Sequence, residues 1–417
     1  MNGDCWISNV KLETGFRRKE DGSIIGTETA AYHLRLGDGF VKELIPASEP
    51  LSVALPIIEG SSYLLLPSFS EMHLHLDKTL IGEAWQAIPP GKGVVERSEL
   101  EHKTLSEHAH TTAARAERLL QTVMDAGSTY VRTHVDIYPA IGLKYLKEIQ
   151  SVLEAYDGKL AYDIVAFPQQ GLLRSGSKEL LRAAMREGAT MVGGVDPATV
   201  DIDIERSLQE MVEIAVEFGG GIDLHLHDPD YLGTHTIRRL AQLTIEAGLQ
   251  GKVSVSHAFC LGEVPEGATA DLAGLLRKAG IRIINSVHHK ATLPHVQVLQ
   301  RYGVPFSLGC DNVQDSWQPF GNGNLLERAG RLSERLRWLD EYSLNRALGC
   351  ITDGVMPLDA GGNRVWPQPG DVANLVLMDA SCSSEAIARR RACKAVFFRG
   401  AHVAGKLMSA GERMVVV

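Results

Sequence analysis

His73 and His75 lie one residue apart in Ser70-Glu71-Met72-His73-Leu74-His75-Leu76-Asp77-Lys78, just past the apolar run 63–69. In a β-strand, residues i and i+2 face the same side, so two imidazoles at this spacing can share one metal ion from the end of a strand. His108 and His110 have the same spacing, but inside a polar, alanine-rich helical stretch where i and i+2 do not face each other. That second pair reads as a solvated coincidence. Short motifs recur by chance, and the first pair gains its weight from the histidines and aspartates further along the chain.

Eight short β-like runs occupy 63–69, 128–136, 161–167, 190–195, 221–226, 252–257, 281–287 and 304–310. Helical patterns between them cover 104–126, 141–155, 177–187, 204–218, 234–248, 268–279 and 294–302, with another at 323–348. Glycines such as Gly248 and Gly280 close some of these helices. Eight alternating units predict an α/β fold, a parallel sheet closed into a (β/α)8 barrel over 63–363. Residues 1–62 and 364–417 share a different texture of short strands and turns, with no long helix. They are expected to form one small β-sandwich domain from both termini, re-entered at Pro367-Gln368-Pro369-Gly370-Asp371. No Gly-x-Gly-x-x-Gly follows a strand, which weighs against a doubly wound sheet.

Active sites of such barrels lie at the carboxyl ends of the strands, and titratable residues collect there. Strand 1 ends on His73 and His75, strand 2 on Arg132-Thr133-His134-Val135-Asp136, and strand 5 on Asp223-Leu224-His225-Leu226-His227-Asp228. Strand 6 ends on Ser256-His257 and strand 8 on Cys310-Asp311-Asn312. His73, His75, His225 and Asp311 would give a single ion three neutral nitrogens and one carboxylate, leaving room for water. Such an ion lowers the pKa of water from about 15.7 to near 7. His225 and His227 alternate inward, and Asp228 could carry a proton to a leaving nitrogen or cap the next helix. A bridged two-metal site would use a lysine at the end of strand 4, where Gly193-Gly194-Val195-Asp196 has none, so one metal is expected. The His-x-Glu and Pro-Cys-x-x-Cys pair of the other zinc deaminase architecture is also missing.

The chain of 417 residues is 44% hydrophobic and 22% charged, within the range of globular proteins. A net charge of −9 argues against nucleic-acid or anionic-membrane partners. No run approaches the roughly 18 apolar residues of a membrane span, and the N-terminus lacks a signal-peptide pattern. Six dispersed cysteines, with no Cys-x-x-Cys, read as reduced cytoplasmic usage.

Several segments carry a resemblance. His73-Leu74-His75-Leu76-Asp77, Arg132-Thr133-His134-Val135-Asp136, Val165-Ala166-Phe167-Pro168-Gln169, Ser256-His257 and Asp311-Asn312 through Trp317 resemble the cytosine deaminase branch of the amidohydrolase superfamily. Within that branch, Lys78, Gly193-Gly194-Val195-Asp196-Pro197-Ala198-Thr199, the segment 223–228 and Trp317-Gln318-Pro319-Phe320-Gly321-Asn322-Gly323 are similar to the N-isopropylammelide isopropylaminohydrolase family.

The resemblance implies one Zn2+ or Fe2+ on His73, His75, His225 and Asp311, and a small heterocyclic substrate. It makes Gln169 a contact to the ring amide, His257 the orienter of water, and Trp317 a wall beside the ring. Three positions depart from cytosine deaminases and match the triazine enzymes: Asp228 in place of glutamate, His227 in place of aspartate, and Lys78 in place of threonine. Lys78 is either a cation beside a carbonyl-rich ring or half of a salt bridge to Asp77 or a rim carboxylate.

The expected activity is hydrolytic release of ammonia or an alkylamine from an aminated pyrimidine or s-triazine ring, with Asp228, His257, His227 and Asp311 handling the chemistry. Ring-amide or N-acyl hydrolysis on the same scaffold is the competing reading, and a silent assembly partner is a third, disfavoured because all four ligands are intact. The roles of His134, His288, His289 and Asp315 stay open, as does the oligomeric state, a homo-oligomer included.

Overall fold

The structure, a computed structural model, describes residues 4–406 apart from 52, 53, 89, 92, 106–109 and 290. Eight parallel strands stand side by side in chain order: Phe69–Leu74, Ser128–Asp136, Ala161–Phe167, Met191–Val195, Gly221–Leu226, Val253–His257, Arg282–Asn285 and Phe306–Leu308. They are called barrel strands 1 to 8 below. The barrel closes where the Asp311 amide donates to the His73 carbonyl at 2.7 Å, beside a parallel bridge between Leu74 and Asp311. Gly309 permits that approach, because a Cβ there would lie 2.5 Å from the His73 Cβ. The strands are buried on both faces, as a helix-jacketed parallel sheet requires.

The apolar run at 63–69 divides between two sheets. Leu64–Pro67 pairs with Leu375–Met378 and touches Cys5–Arg18, whereas Phe69 begins barrel strand 1. The terminal sheet runs 401–405, 393–398, 375–378, 64–67, 5–18, 24–37 and 40–46, with 57–59 also against 5–18. Its residues alternate between two cores, the period of a strand. Leu65, Leu375, Leu377 and Phe397 join Ile7, Leu34 and Trp366, while Leu64, Leu66, Val376 and Val396 pack into the barrel. Each such fully buried leucine contributes about 1.5–3 kcal/mol. The turn at 367–371 meets the strand Phe40–Pro46 through Gly370 and Asp371, each bonded to Val41 at 2.8 Å.

Two long helical patterns break in the structure. The stretch at 104–126 is a helix Gly93–Leu105 and a second one, Thr112–Asp125, capped by Thr111. His108 lies outside the described residues, and His110 is not free in solvent, since its Nδ1 is 2.9 Å from Glu83. The stretch at 323–348 stops at Leu336, where Arg337 turns left-handed, and resumes at Glu341 under an Asp340 cap. Among the described residues, no helix is long and apolar enough to cross a membrane.

Candidate active site

Barrel strands 1, 5 and 8 bring His73, His75, His225 and Asp311 together. His73 Nε2 and His75 Nε2 lie 3.3 and 3.2 Å from Asp311 Oδ1, and His225 Nε2 lies 3.4 Å from His75 Nε2. Two donors about 2.1 Å from one tetrahedral ion sit about 3.4 Å apart. The spacing therefore fits a divalent cation.

The proton positions fit as well. Ser256 donates to Asp223 Oδ1 at 2.7 Å, so it accepts from His73 Nδ1, also at 2.7 Å. Asp223 is held in turn by Arg132 at 2.8 Å. This relay leaves His73 Nε2 aimed at the cluster with no hydrogen-bond partner among the described residues, a buried acceptor that a cation would satisfy. Burial, with Lys78 nearby, pushes His75 down to about 3; burial and neighbouring imidazoles hold His225 and His257 well below their usual range. Burial would raise Asp311, but His73, His288 and His75 outweigh it and hold the carboxyl well below its ordinary value. Neutral imidazoles and an ionised carboxylate are the forms that bind metal. Replacing Ser256 with alanine should weaken zinc binding about 10- to 100-fold, read by chelator competition. An unchanged affinity would show that the relay does not orient His73.

A cavity of about 40 Å3 opens beside these donors, walled by His75, Phe167, Gln169, His227, His257 and Trp317 among others. Phe167 stacks on His225 with centroids 4.0 Å apart, and His227 stacks on His257 at 4.4 Å. At the end of barrel strand 6, or one to three residues past strands 4, 7 and 8, stand non-glycine residues at positive φ: His257 at 68°, Asp196 at 38°, Val287 at 50° and Asp311 at 59°. Such backbone costs on the order of 1–3 kcal/mol per residue and gathers at functional sites.

Asp196 receives His227 Nδ1 at 2.9 Å and the Asp228 amide at 3.0 Å. Burial would lower His227, but the Asp196 carboxylate overrides it and raises the imidazole above its ordinary value. With Nδ1 committed to Asp196, Nε2 is the nitrogen left for other partners.

The structure sets Asp228 against the loop after strand 4 and gives Lys78 the carboxylate partners of one of its two sequence readings. Asp228 turns from the cavity, accepting the Ala198 amide at 3.0 Å and the Thr199 hydroxyl at 2.6 Å. It ties down the loop after strand 4, and the helix Asp230–Glu246 is not capped by it. Each oxygen accepts one hydrogen bond, and burial raises the carboxyl above its ordinary value. Lys78 is buried behind Gln169, donating to Gln169 Oε1 and to Asp136 Oδ1 at 3.0 Å, with Glu101 Oε1 at 3.5 Å. Burial alone would lower its pKa; Asp136, Glu101 and Asp77 outweigh burial and raise it. The lysine is thus a counter-ion to carboxylates rather than a cation at the pocket surface.

The residues left open now have surroundings. His288 Nε2 meets Asp311 Oδ2 at 2.8 Å, whereas His289 is exposed with its ring 5.8 Å from Phe320. Asp315 accepts from Asn312 Nδ2 at 2.6 Å and from the Trp317 amide at 2.8 Å, holding the turn that carries the tryptophan; burial and Glu101 push it up to about 7. His134 lies in the barrel with its ring 4.1 Å from His73. Glu101, Phe167 and Asp196 had no role assigned from sequence. Phe167 and Asp196 stand at strand ends and were open to the same reading, while nothing about Glu101 in its polar stretch distinguishes it.

Comparison with known proteins agrees with this geometry. The amidohydrolase family matches residues 102–404. A protein of Escherichia coli (strain K12), YahJ, is 37% identical over 406 residues, 96% of this chain and 88% of that one. The N-isopropylammelide isopropyl amidohydrolase of Pseudomonas sp. (strain ADP) is 32% identical over 303 residues, 70% of this chain and 73% of its own. The crystal structure of N-isopropylammelide isopropylaminohydrolase from Burkholderia multivorans superposes with a TM-score of 0.84 at 30% identity, covering 97% of this chain and 98% of that one. With the His and Asp cluster at its barrel mouth and these relatives, this chain belongs to the amidohydrolase family, as a hydrolase of carbon–nitrogen bonds other than peptide bonds.

Proposed function

We propose that the chain is a metal-dependent aminohydrolase that releases ammonia or an alkylamine from an amino-substituted pyrimidine or s-triazine ring. The observation that carries this reading is the convergence of three imidazoles and Asp311 on a cavity also walled by Gln169, Trp317 and His227. The relatives named for N-isopropylammelide support the triazine side of it. One Zn2+ or Fe2+ held by His73, His75, His225 and Asp311 would supply a Lewis acid that makes water nucleophilic at neutral pH.

The chain's own groups supply the rest. Asp311 Oδ2, paired with His288 Nε2, takes the proton that water loses on attacking the ring carbon. His227, kept protonated by Asp196, gives a proton from Nε2 to the departing amine. Neutral His257 packs against His227 and keeps its ring facing the cavity. Gln169 bonds the ring edge and Trp317 walls the ring face. A cavity of about 40 Å3 is far below the roughly 300 Å3 of ordinary ligand pockets, so the wall must give way for a ring to enter.

The His227 assignment has a pH signature. The acid form is the active one, so kcat/KM falls as pH rises through the pKa of His227, which Asp196 raises. Asp196→Asn keeps an acceptor for the backbone amides but removes the charge, so the alkaline limb should move to lower pH. A limb that stays in place would reassign the proton donor.

The reading is tested by amine release from cytosine, isocytosine, creatinine, ammelide and N-isopropylammelide, with product analysis. Release of the exocyclic amine from an intact ring is expected. Ring-opened products would instead favour cyclic-amide hydrolysis.

A further inference from the structure

We propose that Glu101, on the helix Gly93–Leu105, is a positioning residue that locks the Gln169 amide in one orientation and thereby decides which of two isomeric ring edges the pocket accepts. This rests on the proposed function, in which Gln169 meets the substrate ring.

Glu101 is 1% exposed and joins loops from three barrel strands. Its Oε2 accepts from Gln169 Nε2 at 3.0 Å and from Trp317 Nε1, and its Oε1 lies 3.5 Å from Lys78 Nζ. Lys78 donates to Gln169 Oε1. A glutamine amide standing alone can rotate by half a turn and exchange its donor with its acceptor. Here it cannot. An ammonium only donates and an ionised carboxylate only accepts, so the carbonyl must face Lys78 and the NH2 must face Glu101.

Gln169 still has one N–H and one lone pair to spare, and their order along the cavity wall is set by these two charged neighbours. A ring presenting a carbonyl beside an N–H in the matching order is bound. An isomer with carbonyl and amino groups exchanged leaves donor facing donor. Buried polar mismatches of this kind discriminate far more strongly than a lost methylene. The substrate class is therefore rings with an amide-type edge adjoining the carbon that loses its amine.

The test uses metal-loaded protein with the isomers cytosine and isocytosine, followed by amine release and by calorimetric binding. Glu101→Gln replaces a pure acceptor by a group that donates or accepts, leaving Lys78 alone to hold the orientation of Gln169. The wild type is expected to favour one isomer. The variant should lose that preference by about tenfold or more, with KM for the favoured ring raised because Gln169 holds its orientation less firmly. A purely structural role would lower both isomers alike and leave the ratio intact, which would overturn the proposal. Trp317→Phe, which removes a different donor from Glu101, should preserve the ratio whatever happens to KM. A ratio lost there while Glu101→Gln keeps it would also overturn it. If no amine is released from any ring, the proposed function fails while the binding ratio still reads Gln169; binding of neither isomer by the wild type sinks both.

Discussion

Asp311→Ala should bind no metal after purification and lose amine-releasing activity by about 10^3-fold or more. One carboxylate has three tasks here. Its Oδ1 stands 3.3 and 3.2 Å from His73 and His75, its Oδ2 holds His288, and its negative charge would balance a bound divalent ion. Metal catalysis contributes several kcal/mol of transition-state stabilisation, and each 1.36 kcal/mol is tenfold in rate. The fold should survive, because closure of the barrel uses the backbone amide of residue 311 and not its side chain. Metal analysis beside circular dichroism checks both halves. A folded variant that keeps its metal and its activity would remove Asp311 from the site.

Lys78→Met should be the most destabilising change among the residues singled out from sequence. Asp77, Glu101 and Asp136 are all buried around this one ammonium. Removing one partner of a buried ion cluster costs about 3–5 kcal/mol, because the remaining charges have no compensation. The loss should shrink on acidification. Burial already pushes Asp77 up to about 6 and Asp136 well above its ordinary value. Acids with folded pKa values above their unfolded ones gain stability from protonation as pH falls, so the variant should recover part of its deficit between pH 8 and pH 5. Urea midpoints at the two pH values measure this. Unchanged stability with only a raised KM would return Lys78 to the role of a substrate contact.

The difference between these two residues shows what was legible in the sequence. The candidate metal donors lie on or just past strand ends, where period two fixes their direction, so His73, His75, His225 and Asp311 could be brought together from spacing and strand order. The closed barrel followed from eight alternating β and α units, and the terminal β domain from the short strands and turns shared by both ends. The division of 63–69 between two sheets did not, because Leu64–Pro67 and Phe69 follow one another in a single apolar run and only their partner strands, 375–378 for the one and Ser128–Asp136 for the other, tell them apart. The partners of Lys78 and Asp228 were not legible for a related reason. Their surroundings come from Asp136, Glu101, Ala198 and Thr199, up to 58 residues away along the chain. Glu101 shows the limit most clearly: on its helix it resembles any exposed glutamate, and only the packing of that helix over the barrel mouth buries it.

The central claim is that one metal ion at this site drives loss of an exocyclic amine. It is tested most directly by titrating Zn2+ or Fe2+ into chelator-stripped protein while following amine release from N-isopropylammelide and cytosine. The account predicts negligible release at the start, a linear rise, and a plateau at one ion per chain. Release that ignores the chelator, or a plateau only at two ions per chain, would contradict it.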